Sequence, residues 1–275
     1  MSAKTPGETD GVTFVNGPRS HVTATFRPRP ITLTAADGVR LRGLYHRCPR
    51  SSDLAFAVGH GFTNHIRKPA VRRVLRRLAE HGSVLAVDFR GHGRSAGVTS
   101  VGPTEVQDIT AALTRLRELG HRRVVTLGFS LGGSVVLRHA ALAAPAERPD
   151  AMISVSGPAR WWVRDTPAMR RVHWLLEQPH GRWAARLLGV RLGGEWPEVP
   201  ASPIELASRL APTPTLLVHG TDDHYFPVAD AQALHAAAGG ELWLEPGMRH
   251  AESATGGDLV DRMAAWARTA VGPRP

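Results

Sequence analysis

Two stretches of the chain set a serine midway between glycines in the pattern Gly-x-Ser-x-Gly: GRSAG at residues 93–97 and GFSLG at residues 128–132. A serine hydroxyl attacks a carbonyl only with a neighbouring base, an exposed position and donors that stabilise the oxyanion. A sharp strand-to-helix turn supplies the last two, and its crowding demands small neighbours. VVTLGF before Ser130 has a strand pattern, and LGGSVVLRHAALAA after it has a helical one. VLAVDFRGH before Ser95 is also strand-like, but AGVTSVGP after it reads as loop. Helix context therefore selects Ser130 as the nucleophile and leaves Ser95 as a chance match. Ser134, about one helical turn beyond Ser130, reads as a helix residue.

A base and an acid are expected later in the chain, in the order serine, acid, histidine. TDDHYFP follows the strand-like TLLVHG, and GMRHAES follows the strand-like ELWLEP. Each lies just past the C-terminal end of a strand, where ligand sites gather in open α/β sheets. His250 is the candidate base. Asp222 and Asp223 compete as the acid that orients it. His224 beside them raises a metal reading, but a helical His-x-x-x-His, a cysteine pair and an acidic ion-binding loop are all missing from the sequence. No metal and no cofactor are expected.

These side chains need elements to carry them. LAFAVGH, VLAVDFR, RVVTLGF, AMISVSG, TLLVHG and ELWLEP are short apolar runs of the kind found in covered parallel strands. PITLTAADGVRLRGLYHR reads as two strands joined at Asp37-Gly38. Helical stripes lie between most runs: Val106, Ile109, Leu113 and Leu116; VADAQALHAAA opened by Pro227; and Leu259, Val260, Met263 and Trp266. Such alternation implies an α/β fold with helices on both faces of the sheet. Residues 158–214 break the rhythm and hold five of the seven tryptophans, with helix-like AMRRVHWLLE and RWAARLLG. The expected division is a polar, partly flexible lead-in over 1–29, a core over 30–157 and 215–272, and a small helical insert over 158–214.

The 275 residues are 42% hydrophobic, enough for a packed core. No apolar run approaches the roughly 18 residues that span a bilayer, and MSAKTPGETDGV lacks the apolar region of a secretory signal. The lone Cys48 cannot close an internal disulfide and reads as a partly exposed thiol. A cytoplasmic setting is the expectation. The net charge is +10. In RKPAVRRVLRRLAEHG, however, Arg72, Arg73, Arg76 and Arg77 oppose a stripe of Val71, Val74, Leu75 and Leu78, as on a solvated surface helix. No recognised nucleic-acid motif accompanies them, so nucleic acid is not the expected partner. Docking to an acidic partner or lipid surface stays open, as does oligomeric state.

HGF at 60–62, DFRGHGRS at 88–95, GFSLGG at 128–133 and HGTDDHYFP at 219–227, in this order, resemble the α/β-hydrolases. The likeness is to the broad group of small esterases, monoacylglycerol-lipase-like and serine-aminopeptidase-like proteins, and runs from about Ile31 to Ala270. It implies a mostly parallel sheet of about eight strands, with the insert as a lid. It implies ester hydrolysis by a Ser130–His250–Asp223 triad, because the family form His-Gly-x-x-Asp-x-x-x-Pro sets the acid on Asp223. It implies an oxyanion hole of the Phe62 and Leu131 N–H groups, a structural Ser95, and structural roles for His60 and His219. Thioester hydrolysis, amide hydrolysis and acyl transfer to a non-water acceptor use the same triad, and a non-catalytic binding protein on this fold is the other alternative. An epoxide hydrolase or dehalogenase would carry Asp in place of Ser130, and a dienelactone-hydrolase-like enzyme Cys. Trp161, Trp162, Trp174 and Trp183 would line an acyl pocket or simply pack the lid onto the body. The lid arginines would meet solvent, acidic lipid or a phosphorylated acyl carrier.

Overall fold

Alternate residues of each central strand feed opposite cores. Leu54, Phe56 and Val58 pack on one side of β3 (Leu54–Gly59), and Ala55 and Ala57 on the other. The same alternation divides β4 (Ser83–Val87): Val84 and Ala86 against Leu85 and Val87. Both strands are buried throughout, because helices cover both faces of the sheet.

The computed structural model describes residues 26–49 and 53–272. Before β3 come β1 (Arg29–Thr34) and β2 (Arg40–His46), joined through Gly38 at a φ of +84°. After β4 come β5 (Arg123–Phe129), β6 (Ala151–Val155), β7 (Thr215–Gly220) and β8 (Glu241–Glu245). The eight strands run in the order β1-β2-β4-β3-β5-β6-β7-β8. β2 is antiparallel to β1 and β4; every other pairing is parallel. Only the edge strand β8 departs from full burial among the six apolar runs read as covered strands, apart from the first residue of β5.

Helices α1 (Pro69–Leu78), α2 (Val106–Glu118) and α3 (Leu131–Leu142) follow β3, β4 and β5. Between β6 and β7 lie α4 (Pro167–Glu177), α5 (Pro179–Leu187), α6 (Pro203–Leu206) and a 3₁₀ turn at Ala207–Leu210. Then come α7 (Val228–Ala238), α8 (Ala251–Ala254) and α9 (Gly257–Ala270). α1 and α9 pack on one face, and α2 and α3 on the other. The chain leaves β3 toward β4 and then crosses back to β5, on the other side of β3. The loops after β3 and β5 thus diverge, and a crevice opens between them.

Two expectations need correction. Cys48 is buried, because the chain leaving β2 lies against the start of β4, where the Cys48 N–H donates to Ser83 Oγ at 3.0 Å. The arginine face of α1 is not simply solvated. Arg73 donates to the carbonyls of Glu252 and Ser253, and Arg77 pairs with Asp261 of α9. The lead-in expected over 1–29 lies outside the described residues for 1–25, and Arg29 already belongs to β1.

A buried ion pair fixes the loop after β4. Arg90 meets Asp108 of α2 through its backbone N–H (2.8 Å), Nε (2.9 Å) and a terminal nitrogen (2.7 Å), and reaches Asp37 in the β1–β2 turn. Burial pushes the Asp108 carboxyl up to about 6 against the pull of Arg90. Removing one partner strands the other charge in the interior. Arg90→Leu is expected to lower stability by about 3–5 kcal/mol in urea unfolding. Asp37→Asn, at a partly exposed carboxylate, is expected to cost less than about 1 kcal/mol.

Candidate active site

Ser130 sits between β5 and α3 with φ +51° and ψ −117°, a left-handed conformation that side-chain-bearing residues avoid. Its N–H donates to Val155 O at 2.9 Å, which ties the turn to the neighbouring β6. A Cβ at position 128 would collide with the Gly132 carbonyl, and one at 132 would lie 2.5 Å from Gly59 O. The glycines two residues either side of the serine are therefore required by close approach of backbone.

Three loops bring the other groups to this turn. His250 follows β8, and its Nε2 lies 2.9 Å from Ser130 Oγ. Asp223 follows β7, and its Oδ2 and Oδ1 lie 2.8 and 3.0 Å from His250 Nδ1. Asp223 also accepts the N–H groups of Tyr225 (2.8 Å) and Phe226 (3.2 Å). Burial pushes its carboxyl up, but the His250 hydrogen bond and charge and the Tyr225 N–H outweigh it and hold it below the ordinary value of 3.8. Asp222 is exposed and accepts from Thr221 Oγ1 instead, so Asp223 is the acid that meets the imidazole.

The HGF segment after β3 abuts the serine: a Cβ at Gly61 would lie 3.4 Å from Ser130 Cβ. Among the described residues no hydrogen bond uses the N–H of Phe62 or of Leu131. His60 accepts from Phe89 N–H on Nε2 (3.0 Å) and donates from Nδ1 to Gly61 O (2.8 Å). Burial and the nearby His92 hold His60 well below the ordinary histidine value, in keeping with this neutral tautomer. His219 is buried against Phe226 O at 3.1 Å. Ser95, 2% exposed, donates to Asp88 O and accepts Arg42 N–H at 2.9 Å. It staples the loop after β4 to β2 and lies away from the imidazole.

A cavity of about 840 Å³ opens over Ser130 between the sheet edge and the insert of α4 to α6. Phe62, Leu131, Trp161 and Trp162 line it. Trp174 and Trp183, expected in its wall, are absent from it and are 48% and 66% exposed. The reason is helical phase. α4 turns Met169 and His173 inward, so Trp174 stands about 100° further round; α5 buries Gly181 and Ala185, and Trp183 falls on the opposite side. Trp196 takes their place, in edge-on contact with Trp161 (5.9 Å) and Trp162 (5.7 Å).

Three site residues escape the sequence reading. Tyr225 lies 4.2 Å from the His250 ring, centroid to centroid, and Phe226 5.6 Å. They flank the imidazole from the loop that carries Asp223. Glu252 is buried two residues past His250 and lines the cavity. Only the proximity of these residues to Asp223 and His250 in the chain could have signalled them. Among the described residues no group of three or more His, Cys, Asp or Glu side chains is arranged to hold a metal ion, and no helix is long and apolar enough to cross a membrane.

Residues 56–266 match the model of the alpha/beta hydrolase family. A non-heme haloperoxidase-like protein of Mycobacterium phage D29 is 38% identical over 112 residues, which are 40% of this chain and only 37% of that protein. The uncharacterized protein YqkD of Bacillus subtilis strain 168 is 27% identical over 239 residues, 81% of this chain and 73% of that one. The esterase Pf2001 of Pyrococcus furiosus has a similar fold, with a TM-score of 0.71 and 21% identity over 90% of this chain and 92% of that one. With a family match that covers most of the chain, on an eight-stranded, mostly parallel sheet, the protein belongs to the alpha/beta hydrolase family.

Proposed function

We propose that the protein is a serine hydrolase that cleaves a carboxylic ester through an acyl-enzyme. The observation that carries this reading is the unbroken relay from Ser130 Oγ to His250 Nε2, and from His250 Nδ1 to Asp223. Ser130 Oγ attacks the ester carbonyl carbon while its proton passes to His250 Nε2. The carbonyl oxygen becomes an oxyanion that the Phe62 and Leu131 N–H groups stabilise. Asp223, ionised and without exposed side chain, holds the imidazole in the Nδ1–H tautomer and stabilises the imidazolium. The C–O bond then breaks, and the leaving alkoxide takes the proton from Nε2. Water, deprotonated by His250, attacks the acyl-enzyme and releases the acid and Ser130. No resident cofactor enters these steps.

The insert acts as a lid in this reading, with Trp161, Trp162 and Trp196 walling the acyl site and the carbonyl brought to Ser130 beneath them. An esterase among the structural neighbours supports the substrate class. Thioesters would follow the same steps with a thiolate leaving group.

Hydrolysis of nitrophenyl esters tests the assignment. Ser130→Ala is expected to lower kcat by about 10⁶-fold, the scale seen when a serine protease loses its nucleophile. It should also abolish fluorophosphonate labelling. Ser95→Ala is expected to keep turnover and labelling while costing about 1–3 kcal/mol, because Arg42 N–H and Asp88 O lose their partner. A folded wild type that resists the probe would instead mark a binding protein on this fold.

Asp223 adds a pH signature. Its native pKa is depressed, so its contribution to stability is present above the ordinary value of 3.8 and fades as pH falls through the native value. The stability gap between wild type and Asp223→Asn is expected to be wider at pH 7 than at pH 3, as read from urea midpoints.

A further inference from the structure

Glu252 is 2% exposed, lines the cavity beside Ser130 and His250, and takes no part in the steps above. Its Oε1 accepts the Gly61 N–H at 2.7 Å, and its Oε2 accepts Asn64 Nδ2 at 3.0 Å. Both partners lie in the loop after β3, 191 and 188 residues away in the chain. Two donors on two different oxygens is an arrangement that a carboxylate satisfies. Burial outweighs the Gly61 N–H, the charge of His250 and the Asn64 amide, and holds the Glu252 pKa above its ordinary value.

The loop that Glu252 spans is a closed turn. Gly61 O accepts the Asn64 N–H at 2.9 Å and His60 Nδ1–H at 2.8 Å. That carbonyl belongs to the Gly61–Phe62 peptide, and in a planar trans peptide the N–H points opposite to the C=O. Holding Gly61 O therefore aims the Phe62 N–H. Glu252 grips the residue on one side of this peptide by its backbone, and the turn's far end by a side chain. Its own backbone is also held. Arg73 donates to Glu252 O at 3.0 Å, and the preceding Ala251 has φ +49° with its N–H donating to Ser156 Oγ at 3.2 Å. A left-handed alanine costs of order 1 kcal/mol and persists only where its surroundings demand it. This turn sets His250 and Glu252 on either side of a single strained residue.

We propose that Glu252 is a positioning residue for the hydrolysis assigned above: it ties the Gly61–Asn64 turn to the segment that carries His250, and so keeps the Phe62 N–H at the place where the oxyanion forms. Its contribution falls on the transition state. The inference rests on the hydrolase reading.

Kinetics of Glu252→Ala, Glu252→Gln and Asn64→Ala test it, with a trifluoromethyl ketone that forms a tetrahedral adduct on Ser130 and a matching unreactive alcohol. Loss of one aligned oxyanion donor costs about 10²–10³ in kcat. Glu252→Ala is expected to lower kcat about 10²-fold, with KM within about three-fold of wild type. Ketone affinity should fall in parallel, and alcohol affinity should hold. Glu252→Gln keeps an acceptor for the Gly61 N–H and is expected to recover kcat to within about ten-fold of wild type. Asn64→Ala should fall between the two, and these milder variants carry the test if Glu252→Ala does not fold. Folded variants with wild-type kcat, or equal losses in ketone and alcohol affinity, would overturn the assignment. So would a Glu252→Gln protein as impaired as Glu252→Ala. A wild type that hydrolyses no ester and takes no probe overturns the hydrolase reading and this inference with it; an active wild type with unaffected variants overturns the inference alone.

Discussion

One backbone conformation governs the rest of the molecule: the left-handed residue at Ser130. A chain leaving a strand and entering a helix within one residue must turn more sharply than an L-residue prefers, at a cost of order 1–3 kcal/mol. The turn survives because its surroundings leave no alternative. β5 is paired on both sides, α3 is almost wholly buried, and Gly128, Gly132 and Gly59 approach one another at backbone distance. Ser156 after β6 and Ala251 after β8 share the left-handed conformation, and the Ser156 hydroxyl accepts the Ala251 N–H. The strain of the fold is thus gathered at the C-terminal edge of the sheet, while the central strands beneath it are regular and buried.

The polar groups of the edge are divided by the same logic. Those that hold loops have their hydrogen-bonding capacity consumed. His60 has both ring nitrogens engaged, Ser95 both donates and accepts, and Arg90 is wrapped by two carboxylates. Ser130 Oγ, by contrast, meets a base at 2.9 Å under an open cavity. The difference between a structural serine and a candidate nucleophile is therefore a difference in what surrounds two identical local patterns.

That is also why so much of the fold was legible in the sequence. Strands covered on both faces must be apolar throughout, and a tight turn must be glycine-rich, so β3 to β7 and the Ser130 turn announce themselves locally. The order Ser130, Asp223, His250 follows from the order of the strands that carry them. Asp222 and Asp223 could not be separated by composition, because one residue of phase in a loop decides which carboxylate faces the imidazole. The insert was less legible for a related reason. Trp174 and Trp183 sit on amphipathic helices, and which stripe faces the body depends on contacts remote in sequence. Glu252 gave no local signal beyond its place two residues after His250. Its partners Gly61 and Asn64 are brought to it only by the crossing of the chain from β3 to β8, and an acidic residue just past an edge strand ordinarily lies in solvent.

In the proposed hydrolysis the Ser130 hydroxyl, the His250 imidazole and two backbone N–H groups converge on one carbonyl. A crystal structure of the phosphonylated protein tests this convergence most directly. Phosphorus is expected to be bonded to Ser130 Oγ, with its free oxygen about 2.7–3.1 Å from the N–H groups of both Phe62 and Leu131. An adduct on another residue, or a phosphonyl oxygen turned away from both N–H groups into solvent, would contradict it.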